Sequence, residues 1–237
     1  NYLHAKRVQQ IFERFFQLIK SSHELTIPIY RLPILTDSEQ QKLNEWQPGR
    51  KFNIPDEHIA ESILKSANQW PNKVVISDKT KRLTYQELLD ESKRLAGVLQ
   101  QQGVTPNQAV GIHITRSADY FVAAFATLRC GAIFFPIDSE LPAGRKEYML
   151  NQASTELVIC TDPTRLKLDN WKGRIIDFKD ESKIDFIQPK YDKDAAVYVI
   201  FTSGTTGNPK GVQVNNQGLQ NILAFNQEAV FSKFPQD

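Results

Sequence analysis

Residues Ala195–Val212 read AAVYVIFTSGTTGNPKGV, and their order decides the fold. Ala195–Phe201 is a strongly apolar, β-prone run, the pattern of a buried strand. It leads without a break into Thr202, Ser203, Gly204, Thr205, Thr206, Gly207, Asn208, Pro209, Lys210 and Gly211. Gly204 and Gly207 let the backbone turn tightly and come close to a ligand. Thr202, Ser203, Thr205 and Thr206 supply hydroxyl donors, and successive backbone N–H groups in such a turn form an anion-holding nest. Lys210 adds a positive charge on a flexible stem. Together these groups suit a polyphosphate. The loop is not the P-loop of common ATPases, in which Ser or Thr follows the lysine and a helix begins at once. Here Gly211 follows Lys210, and the chain runs through GVQVNN before a helix starts. The plainer alternative is a polar hairpin with no ligand, which leaves ten specified positions behind a buried strand unexplained.

Outward from this loop, strands and helices alternate from Ile59 onward. Helices are predicted over Ile59–Asn68, from Thr84 to Gly103, from Ser117 through Leu128, over Arg145–Gln152 and over Asn216–Phe231. Thr84 and Glu87 have capping-box spacing, in which each side chain satisfies a free backbone donor at the helix start. Leu88, Ser92, Leu95, Ala96 and Leu99 mark one face of that helix. Glycine at 103 supplies the left-handed residue that ends it. Strands are predicted at Lys73–Ser77, Ala109–Ile114, Ile133–Ile137, Leu157–Cys160 and Arg174–Phe178. The alternation implies an α/β fold with a mostly parallel sheet layered with helices. In such sheets ligands bind at loops following the carboxyl ends of strands.

Upstream, HAKRVQQIFERFFQLIKSS reads as an amphipathic helix whose Val8, Ile11, Phe12, Phe15, Phe16 and Ile19 recur at helical spacing. The proline-rich stretch after it reads as an extended linker, interrupted by a short helix capped by Thr36 and Glu39. A boundary near residue 55 separates this part, 1–55, from 56–237.

The net charge of +2 gives no push toward nucleic acid or a membrane surface. No apolar run approaches the ~20 residues needed to span a bilayer. Cys130 and Cys160 lie in apolar stretches and form no CxxC pair or zinc spacing, which fits buried reduced thiols. The chain opens at Asn1 with no signal-peptide pattern. It reads as an internal part of a longer cytoplasmic protein. His4, His23, His58 and His113 are scattered. His113, in an apolar strand with no partner near it in sequence, reads as a structural histidine. Trp46, Trp70 and Trp171 read as packing or rim residues, KDESK at 179–183 as a solvated loop, and Asp138 as a turn former.

TSGTTGNPKG resembles the phosphate-loop signature of the adenylate-forming superfamily. RLTYQELLDESKRLAGVLQQQGV resembles the L-T-Y-x-E-L motif of its amino-acid-activating branch. TLRCGAIFFPIDSELPAGRKEYML is similar to the next motif, L-K-A-G-x-A-Y-V-P-I-D. The likeness runs from about Ile59 to the end, and 1–55 resembles the end of a condensation domain with its linker. The resemblance implies the N-terminal part of the large subdomain of a nonribosomal peptide synthetase adenylation domain. It implies ATP and Mg2+ as participants, an amino acid as substrate, and transfer of the acyl group to phosphopantetheine on a carrier domain outside this chain. Carrier and condensation domains of the same synthetase are then the partners, with no nucleic acid and no membrane. Thr202, Ser203, Gly204, Thr205, Thr206, Gly207 and Lys210 are the implied phosphate-binding residues.

The departures are specific. Asn216 stands where the branch has a histidine that borders the substrate pocket. Cys130 replaces an alanine, Phe134–Phe135 a Tyr–Val pair, and Gly144 a glutamate. The G-E-L and Y-x-T-G-D segments and the distal catalytic lysine are not in the chain, so the catalytic residue is not assignable and the chain alone is expected to be inactive. The competing readings are a ligase acting on fatty or aryl acids, and a non-catalytic remnant or docking piece.

Overall fold

A computed structural model of the chain describes residues 2–24, 35, 37–47, 49, 51–163, 166–202 and 208–233. The chain divides into two compact units, Asn1–Lys51 and Phe52–Asp237. The first holds helix α1 (Tyr2–Glu24) and helix α2 (Asp37–Trp46). All six apolar residues of the α1 pattern are solvent-exposed, and Arg14 of α1 pairs with Glu39 of α2. The expected cap Thr36 lies outside the described residues.

The second unit begins with helix α3 (Ile59–Gln69) and a small antiparallel ribbon, β1 (Val74–Ser77) with β2 (Arg82–Thr84). Helix α4 (Tyr85–Gln101) follows, opened by the Thr84–Glu87 capping box. Thr84 Oγ1 accepts from the Glu87 amide, and the Glu87 carboxylate accepts from the Thr84 amide at 2.7 Å. The helix ends as its sequence dictates, with Gly103 at φ +87°. Then come β3 (Ala109–His113), α5 (Ala118–Arg129), β4 (Ile133–Pro136), α6 (Ala143–Gln152), β5 (Leu157–Cys160), β6 (Arg174–Asp177), β7 (Ala196–Thr202), β8 (Lys210–Asn215), α7 (Asn216–Ala229) and a 3-10 turn, Phe231–Lys233.

The main sheet has the order β6-β5-β3-β4-β7-β8. Every neighbouring pair is parallel except β7–β8, which is an antiparallel hairpin. The mostly parallel sheet is therefore as the alternation implies. Strand pleating sorts side chains to two faces. Val110, Ile112, Leu157 and Ile159 join a cluster with Leu95 and Leu99 of α4 and Val122 and Phe125 of α5. Phe135, Ile137, Val158 and Val199 join a second cluster with Met149 and Leu150 of α6 and with Trp171. Continuous apolar strands fit this sandwiching, because a parallel sheet is buried on both faces. The two cysteines are both free and buried.

Two strands go beyond what the sequence pattern predicts. β2 has three residues and takes its conformation from the turn at Asp78, whose carboxylate accepts from the amides of Thr80, Lys81 and, across the fold, Ala118. Those bonds hold the Asp78 carboxyl well below the usual range. β8 is exposed along most of its length and acquires strand geometry from its ladder with β7. Its hydrophobicity alone does not mark it.

Gly97 of α4 is where the segment after β6 crosses the helix. A Cβ there would lie 2.5 Å from the backbone oxygen of Ile184. Replacing a helical glycine with alanine normally gains about 1 kcal/mol. A clash with backbone costs about 1–3 kcal/mol when neighbours must shift. Gly97→Ala is therefore expected to lower the urea unfolding midpoint, and an increased midpoint would show that the crossing is looser than described.

Candidate functional site

β7 is anchored by the burial of Val197 and Val199 and by its parallel pairing with β4. The ladder with β8 shifts register between Ala196 and Tyr198 and then runs unbroken to a last pair, Thr202 with Lys210. The two strands thus clamp both ends of the segment 203–209. Of the expected phosphate-binding residues, Ser203, Gly204, Thr205, Thr206 and Gly207 lie outside the described residues. Thr202 and Lys210 are described, and both are exposed at the mouth of the hairpin. Lys210 belongs to β8 rather than to the loop itself. Pro209, just before it, is buried. Gly211 lies under the Phe201 ring, whose Cζ would be 3.0 Å from an added Cβ. Among the described residues Lys210 takes part in no recorded ion pair.

This mouth lies at the carboxyl end of β7. Beside it, the carboxyl ends of β3 and β4 border a groove of about 850 Å3. Thr115, Arg116, Asp138 and Ser139 are its polar lining, and Tyr120, Phe121, Phe134, Tyr198 and Ile200 give it an aromatic and aliphatic wall. Asp138 does form a turn, accepting from the Glu140 amide at 3.0 Å. Thr202 and Lys210 thus stand at the end of the strand whose Tyr198 and Ile200 line the apolar groove. An anionic tail and a flat or apolar moiety could be held side by side there.

Behind the sheet, on the α6 side, His113 of β3 has a partner that its sequence neighbours do not reveal. Lys146 Nζ of α6 lies 3.1 Å from His113 Nε2 and donates to the Ser139 carbonyl at 2.7 Å. Burial, with the charge of Lys146 next, pushes the His113 pKa down. A lysine two residues from Tyr148 on a half-buried helix is the available signal.

Asn216 is not brought to the loop. It follows the far end of β8, six residues from Lys210, or about 20 Å of extended chain. Its amide is buried and fully engaged. Oδ1 accepts from the Ile59 amide at 2.8 Å, and Nδ2 donates to the carbonyls of Glu57 and Lys193, each at 2.9 Å. These bonds join the starts of α7 and α3 and border a cavity of about 210 Å3 lined by residues 54–57, Lys193 and Gln217.

The start of α3 also explains His58, to which the sequence assigns no role. It is the N-cap, with Nδ1 accepting from the Ala60 amide at 3.2 Å, while the Glu61 carboxylate accepts from the His58 amide at 3.0 Å. The ring stacks on Tyr191 at 5.0 Å. The capping nitrogen must be unprotonated, and burial pushes the His58 pKa down.

Known proteins resemble this chain in sequence and in fold. A model described as "AMP-binding enzyme" matches residues 63–236. A mycosubtilin synthase of Bacillus subtilis is 31% identical over 226 residues, covering 94% of this chain and 8% of that protein. Tyrocidine synthase 3 of Brevibacillus parabrevis is 32% identical over 212 residues, covering 87% of this chain and 3% of that protein. The chain thus spans a small part of the curated relatives it matches. Among solved structures, the nonribosomal peptide synthetase FmoA3 superposes with a TM-score of 0.77 at 24% identity, covering 97% of this chain and 25% of that one. The N-terminal subdomain of NpsA from Klebsiella oxytoca, in complex with 3-hydroxybenzoyl-AMSN, superposes with a TM-score of 0.61 at 22% identity. It covers 68% of this chain and 41% of that one. At these identities the superpositions establish the fold.

His58 and His113 both have folded-state pKa values lowered by burial. Their stabilising contribution is complete above the unfolded histidine value of about 6.5 and declines as pH falls below it, because the unfolded chain then binds more protons. The urea midpoint should drop between pH 7.5 and pH 5.5. His58→Asn, which keeps a capping acceptor but does not titrate, should flatten that drop; an unaltered slope would remove His58 from it.

Proposed function

The chain belongs to the AMP-binding enzyme family, and from that premise we propose that it forms the N-terminal part of an amino-acid-activating adenylation domain in a longer nonribosomal peptide synthetase. The observation that carries the reading is the clamped segment 203–209, with Lys210 exposed at its mouth and a groove at the adjoining strand ends. The nonribosomal character is supported by the likeness to the nonribosomal peptide synthetase FmoA3 and to the mycosubtilin and tyrocidine synthases. No described helix is long and apolar enough to cross a membrane.

In this reading the triphosphate of ATP lies along Thr202, Ser203, Gly204, Thr205, Thr206 and Gly207, whose N–H and hydroxyl groups donate to phosphate oxygens. Lys210 places its ammonium on the β- and γ-phosphates. The carboxylate of the amino acid attacks the α-phosphorus, the bond to the β-phosphate oxygen breaks, and pyrophosphate leaves with the negative charge the loop is built to hold. Preorganised donors aimed at developing charge are the strongest catalytic device for such a step. The aminoacyl group then passes to the phosphopantetheine thiol of a carrier domain outside this chain, with a condensation domain as its further partner. Asn216, assigned to the border of the substrate pocket by resemblance, would act there by fixing the start of α7 to Glu57, Ile59 and Lys193.

Among the described residues no three or more His, Cys, Asp or Glu side chains cluster so as to hold a metal. Magnesium would arrive with the triphosphate and its own waters, which is how this ion is commonly held at phosphate sites.

A charged hydrogen bond to phosphate is worth about 1.5–3 kcal/mol. Lys210→Ala should weaken binding of ATP–Mg2+, measured by isothermal titration calorimetry, by roughly 10- to 100-fold. Its thermal midpoint should stay put because the side chain is exposed. An unchanged dissociation constant in the folded variant would take Lys210 out of the site.

A further inference from the structure

Lys146 is a buried cation at an unusual post. The residue is 8% exposed, and among the described residues no recorded ion pair involves it. Its ammonium instead spans two loops, donating to Ser139 O after β4 and meeting His113 Nε2 at the end of β3. An ammonium has donors only. His113 Nε2 must therefore accept, and the imidazole is neutral with its proton on Nδ1.

The loops joined in this way are those whose opposite side lines the groove. Thr115 and Arg116 follow His113, and Asp138 precedes Ser139. Gly111, one turn of the pleat before His113, brings α6 close to the sheet: an added Cβ would lie 2.8 Å from Ile137 Cδ1 and 3.4 Å from Leu150 Cδ2. With α6 seated so tightly, the Lys146 stem has little freedom, and its ammonium acts as a strut of fixed length.

We propose that Lys146 is a positioning residue of the candidate nucleotide site: through neutral His113 and the Ser139 carbonyl it sets the spacing of the two strand-end loops that present Thr115, Arg116 and Asp138 to the groove. The proposal rests on the reading of that groove as part of the site. Protonating His113 releases the strut. The imidazolium would then confront an ammonium at hydrogen-bond distance, and Lys146 would keep only its bond to Ser139. The other titratable groups facing His113 are Asp138, which favours the imidazolium, and Cys160, its register partner on β5. Burial pushes the Cys160 thiol up to about 11, so it stays neutral throughout the range in which His113 changes charge. Lowered pH thus loosens the loops by way of His113.

The test uses the full chain and three proteins: wild type, Lys146→Met, which keeps the stem and removes the donors, and His113→Gln, which keeps an acceptor and cannot titrate. Two readouts are taken, amide hydrogen exchange over 114–117 and 138–141, and the dissociation constant for ATP–Mg2+ at pH 7.5 and 5.5. Lys146→Met should exchange at least tenfold faster in both loops, with α4 and β5 unchanged, and bind nucleotide roughly 3- to 10-fold more weakly at pH 7.5. His113→Gln should lose less affinity than wild type, as a ratio to its own value at pH 7.5, when the pH falls to 5.5. Lys146→Arg should recover part of the exchange protection. Equal loop exchange in wild type and Lys146→Met overturns the strut, as does a pH response in His113→Gln equal to that of wild type. If wild type itself binds no nucleotide, the functional reading and the positioning role both fall, while the exchange data still decide whether the strut exists.

Discussion

The last rung of the β7–β8 ladder, Thr202 opposite Lys210, is the constraint on which the candidate site depends. A glycine-rich segment by itself has too many conformations to hold an anion, because each ordered residue costs about 1–2 kcal/mol of backbone entropy. Pairing Thr202 with Lys210 closes the ends of the segment before any ligand arrives and so removes the loop-closure part of that cost. The pin holds because β7 is not free to move. Val197 and Val199 are buried, Phe134 of β4 pairs with Tyr198, and the two rings pack at 5.4 Å. The apolar strand therefore does more than fill the core, since it fixes where the side chains of Lys210 and Thr202 leave the sheet.

The same sheet explains why the two sides of the site have different tasks. The pleat sends Phe134 and Tyr198 toward the α5 side, where with Tyr120 of α5 they pack at the edge of the first core and wall the groove. It sends His113 to the α6 side, against Lys146. Polar groups behind the sheet hold loops whose faces open in front of it. At the far end of β8, Asn216, His58 and Glu57 make a buried polar joint between α3 and α7. This joint seats α7 without touching the hairpin mouth.

Much of this is legible in the sequence. The apolar runs at 109–113, 133–136, 157–160 and 196–202 form the central strands, and Thr84, Glu87, Ser117 and Gly103 mark helix ends where the structure has them. Local chemistry sets these elements. What escapes notice depends on partners distant in sequence. β8 carries Gln213, Asn215 and Gly211 among its valines, and only the ladder with β7 makes it a strand. Lys146 sits in a charged stretch, RKEY, whose sequence neighbours do not show that the fold turns it inward toward a histidine 33 positions away. His58 caps a helix although histidine is seldom chosen for that position, and burial against Tyr191 keeps it neutral enough to do so. The residues of the loop from Ser203 to Gly207 are singled out by residue type, and only their two ends are fixed by the described structure.

The most direct measurement of the central claim is a map of amide protection when ATP–Mg2+ is added to the chain. A triphosphate held by the clamped segment predicts slowed exchange from Thr202 to Gly211 and at the neighbouring strand ends, 114–117 and 138–139. The recess of about 480 Å3 lined by Asn151, Glu156, Lys172 and Arg174 should show no change, since it lies at the amino ends of β5 and β6. Protection centred on that recess, with none between Thr202 and Gly211, would contradict the account.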